Sequence, residues 1–333
     1  MNRRKLRLAK TIPSLADALT RYCHEVSSLK KGATQERSLA NIWARTLLAN
    51  RPLDRISQTD IQKLRDEWLE QYAPATVTRR LALLSHVYTV AIKDWAIAEL
   101  TNPVKRVRWP QANDSRTRRI YDRISHRGIP IDECPRSELD WLKRYTRSRN
   151  LPAVMTLAVE TGMRRSEIVS LTRKQVDMSV GIITLNETKN GTVRYVPLTP
   201  FAKAELRIHL SPMQKPNDKI FDISASAISQ SFARAVNKSR DEYEKLCKRY
   251  NRTPKQEYFR DLRFHDLRHE ATSILATVYP RTALPKAIGL SSERMLQRYY
   301  NPKGRDLVRI LMRSKLAKKQ NAILRAAAQN PQT

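Results

Sequence analysis

Glycine is scarce: 7 of 333 residues, against roughly 7% of an average chain. That excludes collagen-like and glycine-rich low-complexity classes and favours helix. Cysteine is almost as rare. Cys23, Cys134 and Cys247 lie more than a hundred residues apart, with no CxxC and no metal-ligand spacing. A disulfide framework is excluded, each thiol reads as a small buried apolar residue, and the chain suits a reducing cytoplasm. No eighteen consecutive apolar residues occur, so no transmembrane helix is expected. The basic N-terminus, MNRRKLRLAK, lacks the apolar run of a signal peptide. Acid is also short: 32 Asp and Glu stand against 63 Lys and Arg.

The excess gives a formal net charge of +31. Lys and Arg displace counterions condensed on nucleic acid, so a polyanion partner is the leading inference. The alternatives are a solvated basic surface or attraction to an anionic membrane. Residues 1–110 carry net +10 and residues 111–333 net +21, so the charge is not a detachable tail. Hydrophobic residues make up 41%, enough for packed cores rather than a disordered basic segment. The length fits one large or two ordinary domains.

Patterning divides the chain. Within 1–110, Ser14 can cap a helix through Leu15, Leu19 and Val26. A second covers 35–49 with Leu39, Ile42, Trp43 and Leu47. A third follows Ser57 and Thr59, and a fourth follows Pro74 with its stripe from Leu81 to Trp95. Four short helices suit binding better than catalysis. Residues 111–136 read as a basic linker. Arg106, Arg108, Arg116, Arg118 and Arg119 are candidates to lie along a phosphate backbone, or to be solvated linker charge. From 137 onward, helices are expected near 137–147, 151–161, 164–171, 201–210, 225–249, 266–278, 292–300 and 306–326. Two β-rich runs flank Asn190-Gly191, which accepts the positive φ of a hairpin turn. The fold class is mainly α with a small β-hairpin or sheet (α+β).

Four pieces of 137–333 stand out: Thr161-Gly-Met-Arg-Arg-Ser-Glu-Ile168, Glu187-Thr-Lys-Asn-Gly-Thr-Val-Arg-Tyr-Val-Pro-Leu198, His265-Asp-Leu-Arg-His269 and Gln297-Arg-Tyr-Tyr-Asn-Pro302. Singly they are weak, since one His-x-x-Arg arises by chance in so basic a chain. Their order and separation carry the information.

The ordered set resembles the tyrosine recombinase (phage integrase) family over roughly residues 14–315. The resemblance implies an N-terminal helical core-binding domain (1–110) that binds DNA. It implies a catalytic domain (137–333) ending in a basic helix and tail that docks on a neighbouring protomer. It assigns catalytic roles to Arg164, Lys189, His265, Arg268 and the nucleophile Tyr299, with Tyr300 as runner-up and Glu167 as a buried support. The family's His or Trp position, nine residues before the tyrosine, is here Leu290. The activity implied is site-specific DNA recombination through a 3′-phosphotyrosine intermediate, by a tetramer on double-stranded DNA bearing specific sites. No cofactor or membrane is implied, and the setting is the cytoplasm, at the nucleoid when DNA is bound. Accessory DNA-bending proteins are not specified. The architecture is nearest shufflon-type or Xer-type members.

Residue chemistry agrees. Two arginines can clamp a phosphodiester's nonbridging oxygens through planar paired donors. A phenol of pKa near 10 needs neighbouring cations to ionise. His265 can take or relay a proton near pH 7, and Lys189 can protonate the leaving 5′ oxygen. Arg194 reads as a phosphate binder on the same hairpin. No carboxylate cluster points to a divalent-metal site. Leu290 cannot donate a hydrogen bond, so Leu290→His is expected to raise cleavage. Alternatives are a non-catalytic or weakly active DNA-binding protein of the same fold, a type IB topoisomerase-like nicking-closing enzyme, or an RNA-binding protein.

Overall fold

The computed structural model describes residues 12–97, 99–111, 116, 118–124, 128–186, 193–210, 215–280, 282–290 and 304–329. It forms two compact units, Met1–Asp114 and Ser115–Thr333.

The first unit holds helices α1 (Leu15–Glu25), α2 (Ala33–Trp43), α3 (Gln58–Gln71) and α4 (Pro74–Lys93). Their starts are set locally. The Ser14 hydroxyl accepts from the Asp17 amide, Ser57 and Asp60 form a capping box, and Pro74 opens α4. α1, α2 and α3 pack on α4, burying Leu15, Trp43, Ile61, Leu81 and Tyr88 completely. The buried Trp43 and Tyr88 still find acceptors: Nε1 donates to the Arg80 carbonyl and the hydroxyl to the Leu53 carbonyl, each at 2.9 Å. α2 stops at Trp43 rather than running to 49. Leu47, expected on its apolar stripe, is 94% exposed. Pro103–Arg106 forms a short 3₁₀ turn whose Val104 returns to this core.

The second unit is mainly helical around a small sheet. Its elements are α5 (Glu138–Tyr145), α6 (Leu151–Thr161), α7 (Arg165–Val169), β1 (Val176–Asp177), β2 (Ile182–Leu185), β3 (Arg194–Pro197), α8 (Pro200–His209), α9 (Ala225–Arg249), α10 (Asp266–Leu275), α11 (Leu284–Ile288), α12 (Gly304–Arg313) and α13 (Lys315–Gln329). The strands run antiparallel in the order β1-β2-β3, with Ile183 opposite Val196 and Leu185 opposite Arg194. The buried strand face, Ile183, Leu185 and Val196, joins a core with α6, α8 and α9. α6 is apolar nearly all round and packs on both α8 and α10, so it is the central helix.

Two expectations change. The single helix expected over 306–326 is two: Ser314 separates them, its hydroxyl accepting from the Ala317 amide at 3.2 Å. The linker expected over 111–136 is not a free crossing segment in its described part. Ile120, Ile124, Ile129 and Cys134 are buried in the second unit's core. Weak periodicity concealed this, because the segment packs as irregular backbone rather than as a helix or strand.

Candidate active site

α6 ends at Gly162, whose φ of 64° is left-handed. A Cβ there would stand 3.2 Å from Ile288 Cγ2, so the turn needs glycine twice over. The chain then re-enters helix at Arg164, the N-cap of α7. Glu167, three residues on, accepts from the Arg164 amide at 2.8 Å and from Arg164 Nη1 at 2.7 Å. Its second oxygen also accepts from Arg194 Nη2 on β3 at 2.6 Å. One carboxylate therefore fixes two cations.

α10 supplies the next pair. His265 is its N-cap and Arg268 follows one turn later. Arg268 is 3% exposed, and its Nη1 donates to the Gly162 carbonyl. The Gly289 carbonyl is the point of convergence. It accepts from Arg164 Nη2 at 2.9 Å and from Arg268 Nη2 at 3.4 Å. Gly289 ends α11 with φ 69°, and a Cβ there would lie 2.7 Å from Arg194 Nε. Two left-handed glycines in a glycine-poor chain thus present the carbonyls that gather the arginines.

Arg164, Ser166, Phe264, His265 and Arg268 line a cleft of about 260 Å³. Arg164 also borders a second one of about 420 Å³ with Arg194, Lys286, Gly289 and Leu290. His265 is exposed. Surrounding protein nevertheless strips water from the imidazole and lowers its pKa, and the charge of Arg268 acts the same way. A neutral ring beside two guanidiniums can accept a proton while they bind an anion. His269 packs edge-on to His265 with ring centroids 5.3 Å apart. Burial pushes its pKa down to about 4, with His265 next in effect.

The opposite face of α10 is acidic. Asp266, fully buried, receives Arg116 Nε and Nη2 at 2.8 Å each. Glu270 receives Arg119 Nε and Nη2 at 2.9 Å each. One helix therefore turns His265 and Arg268 to the cleft and two carboxylates to the segment around residues 116–120.

Comparison with known families matches residues 138–305 to the phage integrase family. The shufflon-specific DNA recombinase of Escherichia coli is 33% identical over 307 residues, covering 89% of this chain and 71% of that relative. The chain belongs to the phage integrase family of tyrosine-type site-specific DNA recombinases. Among solved structures, the Tn1549 transposon integrase in complex with transposon right end DNA matches with TM-score 0.62 at 17% identity, over 90% of this chain and 98% of that one. A lambda integrase dimer bound to a COC′ core site also gives 0.62 at 19% identity, covering 87% and 96%. These two likenesses concern the fold.

Within this integrase, Arg164, His265, Arg268 and Glu167 come together as described. Lys189, Tyr299 and Tyr300 lie outside the described residues. Leu290 borders the larger cleft and is 8% exposed, packed with Leu284 and Ile288. Four arginines read as phosphate binders are otherwise engaged. Arg194 is 5% exposed and bound to Glu167 and the Ala287 carbonyl. Arg116 pairs with Asp261 and Asp266, Arg118 with Glu138, and Arg119 with Glu270 and Asp306. To reach a DNA phosphate, each of these guanidiniums would have to leave a carboxylate that holds it. Arg106 and Arg108, in contrast, are exposed. Sequence reasoning missed the Gly289 carbonyl, Asp266, Glu270 and Glu138. Only the glycine carried a signal, through its rarity.

Among the described residues, no His, Cys, Asp and Glu group could hold a metal ion, and no helix is long and apolar enough to cross a membrane.

Proposed function

We propose that this integrase cleaves and rejoins DNA by direct attack of Tyr299 on a phosphodiester, leaving a 3′-phosphotyrosine link and a free 5′-hydroxyl. The observation that carries the reading is the convergence of Arg164 and Arg268 on the Gly289 carbonyl beside His265. An oxygen of a phosphodiester is a stronger acceptor than a carbonyl. Guanidiniums already aimed at one small region can take its nonbridging oxygens with little reorganisation. Charge then builds on the phosphorus oxygens where two fixed cations stand. His265 accepts or relays the phenol proton, Lys189 gives one to the departing 5′ oxygen, and the reverse step rejoins the strands. The ester energy stays in the phosphotyrosine bond, so the chemistry draws on no nucleotide.

Both units are basic, and we read the first as the core-binding domain and the second as the catalytic domain, closing on double-stranded DNA with specific sites. Assembly to a tetramer is part of the proposal. It is supported by the exposed apolar side chains of α12 and α13, including Leu311, Leu316, Ile323 and Leu324, which suit exchange onto a neighbouring protomer. The setting is the cytoplasm, on the nucleoid.

The experiment starts from the duplex that the protein enriches out of a random-sequence pool. A nicked version traps the cleaved state and is incubated with wild type, Tyr299→Phe and Tyr300→Phe, with EDTA present. A covalent adduct in wild type and Tyr300→Phe, absent from Tyr299→Phe, is expected. An adduct that survives Tyr299→Phe but not Tyr300→Phe moves the nucleophile. Tight binding with no adduct on any site favours the second reading, a weakly active DNA binder. That reading is supported by Leu290, an apolar side chain where the family carries a donor.

A further inference from the structure

Arg119 takes no part in the chemistry above, yet it touches two elements on which that chemistry depends. Its guanidinium grips Glu270 through Nε and Nη2 at 2.9 Å each, and Nη2 also reaches Asp306 Oδ2 at 3.4 Å. The next residue adds a bond, the Ile120 amide to Glu270 Oε2 at 3.0 Å. The three side chains are 8%, 9% and 8% exposed. Glu270 lies two residues beyond Arg268 on α10, on the far side from the cleft. Asp306 is in the first turn of α12, seven residues after Tyr299.

We propose that Arg119 is a positioning residue. By holding Glu270 of α10 and Asp306 of α12 on one guanidinium, it fixes the helix that carries Arg268 against the helix that follows Tyr299. The expected consequence is on the rate of attack by Tyr299 at the phosphate clamp. The inference rests on Tyr299 being the nucleophile. Guanidinium geometry is what the role requires. A planar fork meets one carboxylate with two parallel bonds and keeps a further proton for a second, whereas an ammonium offers a point charge with no fixed plane. Burial makes the link stiff, because turning either helix away would leave a carboxylate unpaired in low dielectric.

The test uses the full chain and the same nicked, pool-selected duplex. Arg119→Gln, Arg119→Lys and Asp306→Asn are compared with wild type for adduct formation in a single turnover at saturating DNA, for Kd and for Tm. Asp306→Asn is the mildest arm, since it leaves the Arg119–Glu270 pair in place; it also removes the longer Asp306–Arg309 pair at 3.8 Å, which lies within α12. Misplacing reacting groups by about 1 Å costs on the order of a hundredfold in rate, so Arg119→Gln is expected near that loss and the other two near tenfold. Kd is expected to stay within about twofold, because uniform binding is untouched. Arg119→Lys should fall between Arg119→Gln and wild type. Wild-type rates in Asp306→Asn and Arg119→Lys would overturn the proposal. So would a rate loss matched by an equal loss of affinity, which is what a merely structural residue gives. If Arg119→Gln does not fold, Asp306→Asn decides alone. If the wild-type adduct does not depend on Tyr299, the underlying reading fails first, and this failure is visible before any Arg119 variant is made.

Discussion

The two units differ in what they bury. Among the described residues of the first, the one buried charged side chain is Arg80, lying over the Trp68 and Tyr72 rings. The second buries Glu138, Arg194, Asp266, Arg268, Glu270 and Asp306. A charge taken out of water is costly and persists only where a counter-charge, hydrogen bonds or aromatic rings compensate it. A unit needed only to present a basic surface can keep its charges wet around an apolar core. A unit that must hold guanidiniums at fixed positions has to bury them, then bury carboxylates to match. Glu167 answers Arg164 and Arg194, and Glu270 answers Arg119.

The sharpest way to break this contrast is to remove one buried carboxylate from the second unit and one partly exposed carboxylate from the first. Glu138 is fully buried and accepts from Arg118, the Tyr121 amide at 2.9 Å and the Phe259 amide at 2.6 Å. Glu138→Ala strands one cation and two amides, with an expected loss of about 3–5 kcal/mol. Glu36 in the first unit accepts from Lys30, Ser27 and Tyr22, but its side chain is 25% exposed. Glu36→Ala is expected to cost about 1 kcal/mol, because water can replace part of what is removed. Urea unfolding with hydrogen exchange read separately over each unit measures both. Equal losses would remove the distinction between the units.

A smaller effect concerns pH. Burial holds His269 down to about 4 in the folded protein, while an unfolded histidine titrates near 6.5. Between those values the unfolded chain binds a proton that the folded chain does not. Stability from this group is therefore complete above about pH 6.5 and is lost as pH falls toward 4, to a limit of about 3 kcal/mol. Tm of wild type and His269→Gln, followed from pH 7 to pH 5, tests it. The wild-type decline should be steeper, and parallel curves would place the proton elsewhere.

This burial pattern also explains which features could be read in advance. The apolar stripes of α1, α3 and α4, their Ser and Pro starts and the antiparallel hairpin strands are local signals with a period. They were legible. The Arg164, His265 and Arg268 set was legible through short motifs. The arginine partners were not, because Arg116 and Asp266 are separated by 150 residues and Arg119 and Glu270 by 151. No local rule pairs them, and in a chain with so many cations a paired arginine looks like a free one. Arg194 is the same case: a strand position opposite Leu185 says which face it occupies, not that Glu167 waits there.

The smallest expected effect compares two groups of arginines that look alike in sequence. Arg106 and Arg108 are exposed at the end of the first unit. Arg116 and Arg119 sit just beyond, in the second unit, held by buried carboxylates. Arg106→Gln with Arg108→Gln should leave Tm unchanged, since neither side chain is packed. If both touch phosphate, DNA affinity should fall, and the slope of log K against log salt should drop by about 0.9 for each phosphate no longer neutralised. Arg116→Gln should do the reverse: lower Tm by stranding Asp266, with the salt slope kept. A salt slope that moves with Arg116 and not with the exposed pair would mean that the clamp opens on DNA. Its arginines would then be released to the phosphates, with Asp266 left to find another cation.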